Sequence, residues 1–282
     1  MPHDAEYRSR ILAEATYDVA HPRASVAAAI AALNFRSGQR VLDAGCGPGA
    51  QLGLLLSGVA PSGHVTGLDI DADNLEVAAA LWSEQAADGS LRLQLGDITR
   101  LPFNDGGFDV TWTSLVLHHV DDPLAAVREL ARVATSGGLI SVVDGDDGAS
   151  FPFLPWPPEL EERVRAAVRR GAAENYGGTL DYTYLPYLGR ELPRLFREAG
   201  LTDVVVQPVA DVDRAPLDPQ RETELQRWFA GWVDGRLRDY LAPRDRAAVL
   251  SLVDPENPGY LLGSPDFFLC RTWLLVTGRV PQ

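Results

Sequence analysis

From about position 40 to 143, short apolar runs alternate with stretches whose apolar residues recur every three or four positions. The runs at 40–42, 63–71, 91–95, 108–113 and 139–143 read as buried strands. Between them Ala50–Leu56, Asn74–Gln85 and Leu124–Ala134 carry helical stripes, such as Leu75, Val77, Ala78 and Leu81. Asp71 or Asp73 reads as the N-cap of the second, and Asp122 followed by Pro123 marks the start of the third. Ser136-Gly137-Gly138 reads as its glycine stop. Strand–helix alternation of this kind predicts an α/β fold, a mostly parallel sheet with helices on both faces.

The flanks break the rhythm. Residues 1–35 read as helices, with Ile11, Leu12 and Ala15 on one face and an alanine-rich run over Ala24–Leu33. The stretch Phe151–Pro158 is too rich in proline for a regular element. A helix at Glu159–Arg170 follows, with a Glu161–Arg165 pair, and then tyrosines at 176, 182, 184 and 187 around Gly177-Gly178. This aromatic, glycine-hinged insertion reads either as a substrate lid or as a structural excursion. A helix at Glu191–Ala199 and a strand at Val204–Val206 come next. Residues 217–255 read as helical, and Leu225, Trp228, Phe229, Trp232, Arg236 and Tyr240 near one face read chiefly as core. Phe267–Val276 reads as the last strand. Without repeats or linkers, the expectation is one domain over 1–282: helical cap 1–35, binding core 36–145, lid 146–190, and closing strands with a helical insertion 191–282.

The stretch richest in chemistry is Val41-Leu42-Asp43-Ala44-Gly45-Cys46-Gly47-Pro48-Gly49. A strand that ends in an acid meets glycines at alternate positions and then a helix start. Glycine lets a ligand lie against the main chain, and the helix end offers free N–H groups. The spacing is not the G-x-G-x-x-G of dinucleotide sites, which disfavours an NAD-dependent oxidoreductase. A phosphate-cradling G-x-x-x-x-G-K-[ST] loop is missing. Asp69, at the end of the second strand, reads as a ribose-diol acceptor or as a simple cap, and Ile70 follows it, able to pack on the flat face of a base. Ligands of parallel sheets sit at the carboxyl ends of the strands, where all these acids fall.

The D-x-G-x-G-x-G stretch resembles the first motif of class I S-adenosylmethionine-dependent methyltransferases. The run from Arg40 to Val143, with Leu117-His118-His119-Val120-Asp121-Asp122-Pro123 and Arg132-Val133-Ala134-Thr135-Ser136-Gly137-Gly138, resembles the small-molecule enzymes of the ubiquinone/menaquinone type. Ser136 departs from the proline common there, which bears on turn rigidity alone. The resemblance implies a Rossmann-like sheet of seven strands, the last antiparallel beside the sixth, and S-adenosylmethionine as cofactor. It implies that Asp43, Ala44, Gly45, Gly47 and Gly49 face the methionine half. Gly96, Asp97 and Ile98 serve the adenine, Asp97 through the amino group and Ile98 through its N–H. The alternative for Asp97 is an Asx-type turn. Thr113, at the end of the fourth strand, completes the cofactor set. It also implies that the N-terminal helices cap the pocket, so Tyr7, Tyr17 and His21 either touch ligand or pack as ordinary helix aromatics.

A sulfonium methyl is already electrophilic, so the protein needs mainly to align an acceptor and remove its proton. His118 and His119 are the candidate bases, and only one of two adjacent residues should face the pocket. Thr113-Ser114-Leu115-Val116 does not match the [Asn/Asp]-Pro-Pro-aromatic stretch of amide and adenine N-methyltransferases. The expected reaction is methyl transfer to O, N or C of a small, largely apolar metabolite. The alternative keeps the cofactor but performs a cyclisation or rearrangement.

Composition narrows the partners. All 25 basic residues are arginine, against 39 acids, for a net charge of −14. A surface that acidic argues against nucleic acid and anionic membranes. Two cysteines, Cys46 and Cys270, give neither a metal cluster nor a disulfide framework. The N-terminus lacks a signal-like apolar core, and no run is long enough to span a bilayer. The expectation is a cytoplasmic protein with a small-molecule substrate, no metal, and room for a homodimer.

Overall fold

The computed structural model describes residues 5–148, 150–175 and 183–282, with side chains from residue 8 onward. Tyr7, Tyr176 and Tyr182, singled out above, have side chains outside that set. The chain forms two compact units. One takes the chain as far as Asp144 with Leu188–Val209 and Trp273–Gln282, and the other takes Gly145–Tyr187 with Ala210–Thr272.

The first unit holds the expected α/β sheet. In chain order its elements are α1 (Ala5–Ala20), α2 (Ala24–Ala32), β1 (Arg40–Ala44), α3 (Leu52–Val59), β2 (His64–Asp69), α4 (Ala72–Leu81), α5 (Ser83–Asp88), β3 (Leu91–Leu95), β4 (Phe108–Ser114), α6 (Pro123–Val133) and β5 (Ala134–Asp144). Beyond it come α7 (Pro158–Ala173), α8 (Leu188–Glu198), β6 (Thr202–Arg214), α9 (Pro219–Gly231), a π turn at Trp232–Arg236, α10 (Pro243–Leu252) and β7 (Phe268–Arg279). The seven strands lie in the order β3-β2-β1-β4-β5-β7-β6. β1 to β5 pair in parallel, and β7 runs antiparallel to β5, from Leu139 opposite Arg279 to Asp144 opposite Leu274.

Near-continuous apolar strands are what a sheet covered on both sides requires. On one face Val41, Val65, Val110 and Trp112 pack with Val26, Ile30, Leu52 and Leu55 of α2 and α3. On the other, α6 buries Ala126, Val127, Leu130 and Val133. Phe196 of α8 lies where a Cβ on Gly278 of β7 would stand at 2.8 Å.

Several boundaries differ from the expectation for identifiable reasons. The helix read over Asn74–Gln85 breaks at Trp82, whose indole turns back to donate to Gly49 O at 2.8 Å. Its ring occupies the space over Gly53, 2.5 Å from a Cβ built there. Of the two candidate caps, Asp71 accepts from Asp73 N and starts α4. Asp122 accepts from Ala125 N and starts α6, as read. Ser136-Gly137-Gly138 is not a helix stop: α6 ends at Val133, and the glycines lie inside β5 at an irregular register opposite Phe108–Val110.

α1 docks on α4 through a small apolar cluster of Ile11, Ala15 and Val77, joined by Leu81. Arg8 adds ion pairs to Asp73 (2.7 Å) and Glu76 (2.9 Å). Tyr17 and His21 stack on each other, ring centroids 4.4 Å apart.

The second unit has its own core. Phe151, Leu154 and Trp156 of the proline-rich run pack with Leu160 and Val164 of α7 and with Leu225, Phe229 and Trp232. Tyr184 and Tyr187 lie against the same cluster, and the aromatic stripe at 225–232 is core there, as read. Among the described residues no helix is long and apolar enough to cross a membrane.

Candidate active site

Because β1 to β4 are parallel, their carboxyl ends share one edge of the sheet. Asp43 pairs with both Gly67 and Trp112, and Asp69 pairs with Leu95. After Ala44 the chain turns sharply, with Gly45 N and Cys46 N both donating to Leu68 O at 2.7 and 2.9 Å. Gly45, Gly47 and Gly49 all take positive φ, +83°, +54° and +86°. Their roles differ. A Cβ on Gly45 would stand 2.4 Å from Val116 Cγ2, so this residue closes the turn against the segment after β4. Nothing lies within 4 Å of a Cβ built on Gly47, so the main chain there faces open space.

The acids gather at this bend. Asp69 Oδ2 accepts from Gly47 N at 2.7 Å, and its Oδ1 accepts from Asp71 N (2.9 Å) and Asn74 Nδ2 (3.4 Å). Gly96 N donates to Asp69 O at 3.0 Å, which ties the turn after β3 to the end of β2. Asp97 is exposed, and its Oδ1 accepts from Thr99 N and Thr99 Oγ1, each at 2.8 Å. The Asx-type turn is thus present at Asp97. Ile98 is buried, whereas Ile70 is 73% exposed, unusual for so large an apolar side chain.

Asp43 is buried, and its Oδ2 has no hydrogen-bond partner. Burial first, and the charge of Asp69 second, push its carboxyl up to about 8. Burial and the same two carboxylates push the Cys46 thiol up as well. A buried carboxylate oxygen left without a donor costs free energy until something supplies one. Two acids at a glycine bend that faces open space, with an exposed isoleucine following the second acid, therefore suit a ligand with a cationic end and a flat apolar end.

Thr113 is fully buried on the sheet face opposite Asp43, since side chains alternate and Asp43 pairs with Trp112. Ser114 shares Asp43's face, and its buried hydroxyl has no partner. Sequence reasoning did not pick it out. Beyond β4, Leu115 takes φ +58° and donates its N–H to Val143 O at 2.8 Å. A left-handed leucine is strained, and it turns the chain into the short helical turn Leu117–His119.

That turn presents the two histidines differently. The His119 side chain is exposed, and the rings of His118 and His119 lie 3.9 Å apart, centroid to centroid. The His118 ring is 15% exposed, and its Nδ1 lies 2.7 Å from Asp144 Oδ1. The His118 N–H donates to Asp144 Oδ2 at 3.2 Å. Asp144, fully buried at the end of β5, was also missed. An acid closing an apolar strand, as at Asp43 and Asp69, was the available signal.

Comparison with known proteins decides the family. Residues 42–142 match the family described as a methyltransferase domain. The chain is 31% identical over 183 residues to demethylmenaquinone methyltransferase of Halalkalibacterium halodurans, covering 62% of this chain and 73% of that protein. The chain belongs to the class I S-adenosylmethionine-dependent methyltransferases. It is also 33% identical over 228 residues, 80% of this chain, to an uncharacterised 37.1 kDa protein in a Streptomyces fradiae transposon, and spans 60% of that protein's length. The fold is shared with the YcgJ protein from Bacillus subtilis, at a TM-score of 0.55 and 22% identity, covering 92% of this chain and 98% of that one.

The cofactor of a class I methyltransferase, S-adenosylmethionine, fits the donor set of this edge. Its sulfonium and ammonium suit the orphaned Asp43 oxygen, and its adenine suits the exposed Ile70. Replacing Asp69 tests how far that carboxylate serves the ligand rather than the loop. Asp69→Ala is expected to weaken S-adenosylmethionine binding by about 1–3 kcal/mol, the scale of hydrogen bonds to a charged group. Unchanged affinity by calorimetry would leave Asp69 only the Gly47 N–H and the start of α4.

Proposed function

We propose that this methyltransferase transfers a methyl group to O, N or C of a small, largely apolar metabolite. The observation that carries the reading is the open space at Gly47 in the glycine bend that follows the partnerless, buried carboxylate oxygen of Asp43. S-adenosylmethionine supplies the electrophilic methyl group and is left as S-adenosylhomocysteine. Asp43 and the Gly45–Gly49 bend hold the methionine end. Asp69 accepts from the ribose, Ile70 covers the adenine, and Asp97 with the Ile98 N–H reads the adenine edge. His118 takes the acceptor's proton. The relative named for demethylmenaquinone supports a metabolite as acceptor, and the acidic surface disfavours nucleic acid.

The test is mass spectrometry of candidate metabolites incubated with methyl-labelled S-adenosylmethionine. The expected result is a labelled product and S-adenosylhomocysteine in equal amounts. His118→Ala should keep cofactor affinity and lower turnover by roughly a hundredfold or more, the range of general-base catalysis. Cofactor bound without any S-adenosylhomocysteine, beside an isomerised metabolite, would instead favour cyclisation or rearrangement. No cofactor binding at all would remove both readings.

A further inference from the structure

We infer that Trp82 is a positioning residue for the cofactor: its indole pins the glycine bend, from the side of α4, in the shape that receives the methionine end. The inference rests on the reading that the Gly45–Gly49 bend holds that end. Three glycines at positive φ make a bend that is free to flex, and they carry no side chains of their own to hold it. The hold comes from outside. Trp82 Nε1 donates to Gly49 O at 2.8 Å, a carbonyl that also accepts from Leu52 N at 3.2 Å at the entry to α3. A peptide is planar and trans, so a fixed carbonyl fixes the whole 49–50 unit and turns the Ala50 N–H away from the indole.

The packing shows the same division. A Cβ on Gly49 would stand 3.0 Å from Ala78 Cβ and 3.1 Å from Trp82 Nε1, whereas Gly47 faces open space. Gly53, about one turn on in α3, leaves room for the far end of the same ring, since Trp82 Cη2 lies 2.5 Å from a Cβ built there. α4 gives up its continuation for this contact: the main chain leaves helical geometry at Trp82, with φ −116° and ψ 32°. At the other end of α4 its cap, Asp71, donates its N–H to Asp69 Oδ1. One helix thereby ties the ribose acid to the glycine bend. A second indole works beside the first. Trp112, fully buried and paired in register with Asp43, donates through Nε1 to Gln51 Oε1 at 3.0 Å. Residues 49 and 51 are thus held by indoles from two elements, and a ligand meets a bend already in shape.

Calorimetry with S-adenosylhomocysteine and with 5′-methylthioadenosine, which lacks the amino-acid end, tests the assignment. Trp82→Phe keeps an aromatic ring and removes the donor. It should weaken S-adenosylhomocysteine roughly three- to tenfold, the scale of one hydrogen bond, and leave 5′-methylthioadenosine unchanged. A merely structural tryptophan would lower the unfolding midpoint and move both ligands alike or neither. Gly53→Ala reaches the same contact with the donor still present, because the new methyl displaces the ring. Alanine is the better helix former, so affinity lost there is not a helix lost. Gly53→Ala should reproduce the effect of Trp82→Phe when made alone. Added to Trp82→Phe, whose shorter ring leaves the space free, it should cost no further affinity. Wild-type affinity for S-adenosylhomocysteine in Trp82→Phe, or an equal loss for both ligands, would overturn the inference. Should that variant fail to fold, wild-type affinity in Gly53→Ala would overturn it equally. A wild-type protein that binds no S-adenosylhomocysteine at all is a separate outcome, which removes the methyltransferase reading and this inference with it.

Discussion

Gly47→Ala should leave the fold standing and remove S-adenosylmethionine binding, while Gly45→Ala should damage the fold itself. Both glycines take positive φ, which costs a side-chain-bearing residue about 1–2 kcal/mol. The surroundings separate them. At Gly45 the new methyl would stand 2.4 Å from Val116 Cγ2 and 3.0 Å from Cγ1, so overpacking adds about 1–3 kcal/mol. The sum is a large part of the roughly 5–15 kcal/mol that holds a domain together. At Gly47 the methyl would meet no protein atom within 4 Å, and only the backbone strain is felt. What the methyl would occupy is the space the ligand is read to fill. Denaturant midpoints should therefore drop sharply for Gly45→Ala and slightly for Gly47→Ala. Calorimetry should find no cofactor binding to Gly47→Ala, and wild-type affinity in that variant would place the ligand elsewhere.

Asp43→Asn should flatten the pH dependence of stability and abolish binding. The folded protein holds a proton on Asp43 up to about pH 8, whereas an unfolded chain gives it up near the ordinary carboxylate value. Between roughly pH 4 and 8 the folded state therefore binds one more proton than the unfolded state. Its stability from this group is full below that window and falls as pH rises, by about 1.4 kcal/mol per pH unit. Asparagine cannot ionise, so the variant should lose this slope and exceed the wild type in stability above pH 8. A cation beside Asp43 favours the carboxylate, so wild-type binding at pH 7 should release protons, and affinity should rise towards pH 8. Titrations in buffers of different ionisation enthalpy read the release directly. Identical pH profiles for the ligand-free wild type and the variant would contradict the buried-acid account.

Much of the sheet is legible in the chain because buried parallel strands are continuous apolar runs, and five of them end at chemistry. The same regularity shows why the acids at 43, 69 and 97 reach one edge. What escaped belongs to tertiary contact. Trp82 breaks its helix to pack over Gly49 and Gly53, a choice that no stripe of Leu75, Val77 and Ala78 announces. Thr113 is the strand-end hydroxyl read from the sequence, but the pairing of Asp43 with Trp112 turns it to the opposite face and puts Ser114 on the face of Asp43. Asp144 looks like the start of a Gly-Asp loop in sequence. Only the turn after Leu115 brings His118 to it. Residues 151–172, with Tyr184 and Tyr187, in the stretch read as a lid or a structural excursion, share a core with residues 225–269 through aromatic contacts too distant in sequence to anticipate.

Amide hydrogen exchange with and without S-adenosylmethionine asks most directly whether three distant stretches surround one molecule. The account predicts new protection at 43–49, 69–71 and 96–98 together, at a single ligand concentration dependence. Protection confined to one of these stretches, or found only away from them, would contradict it.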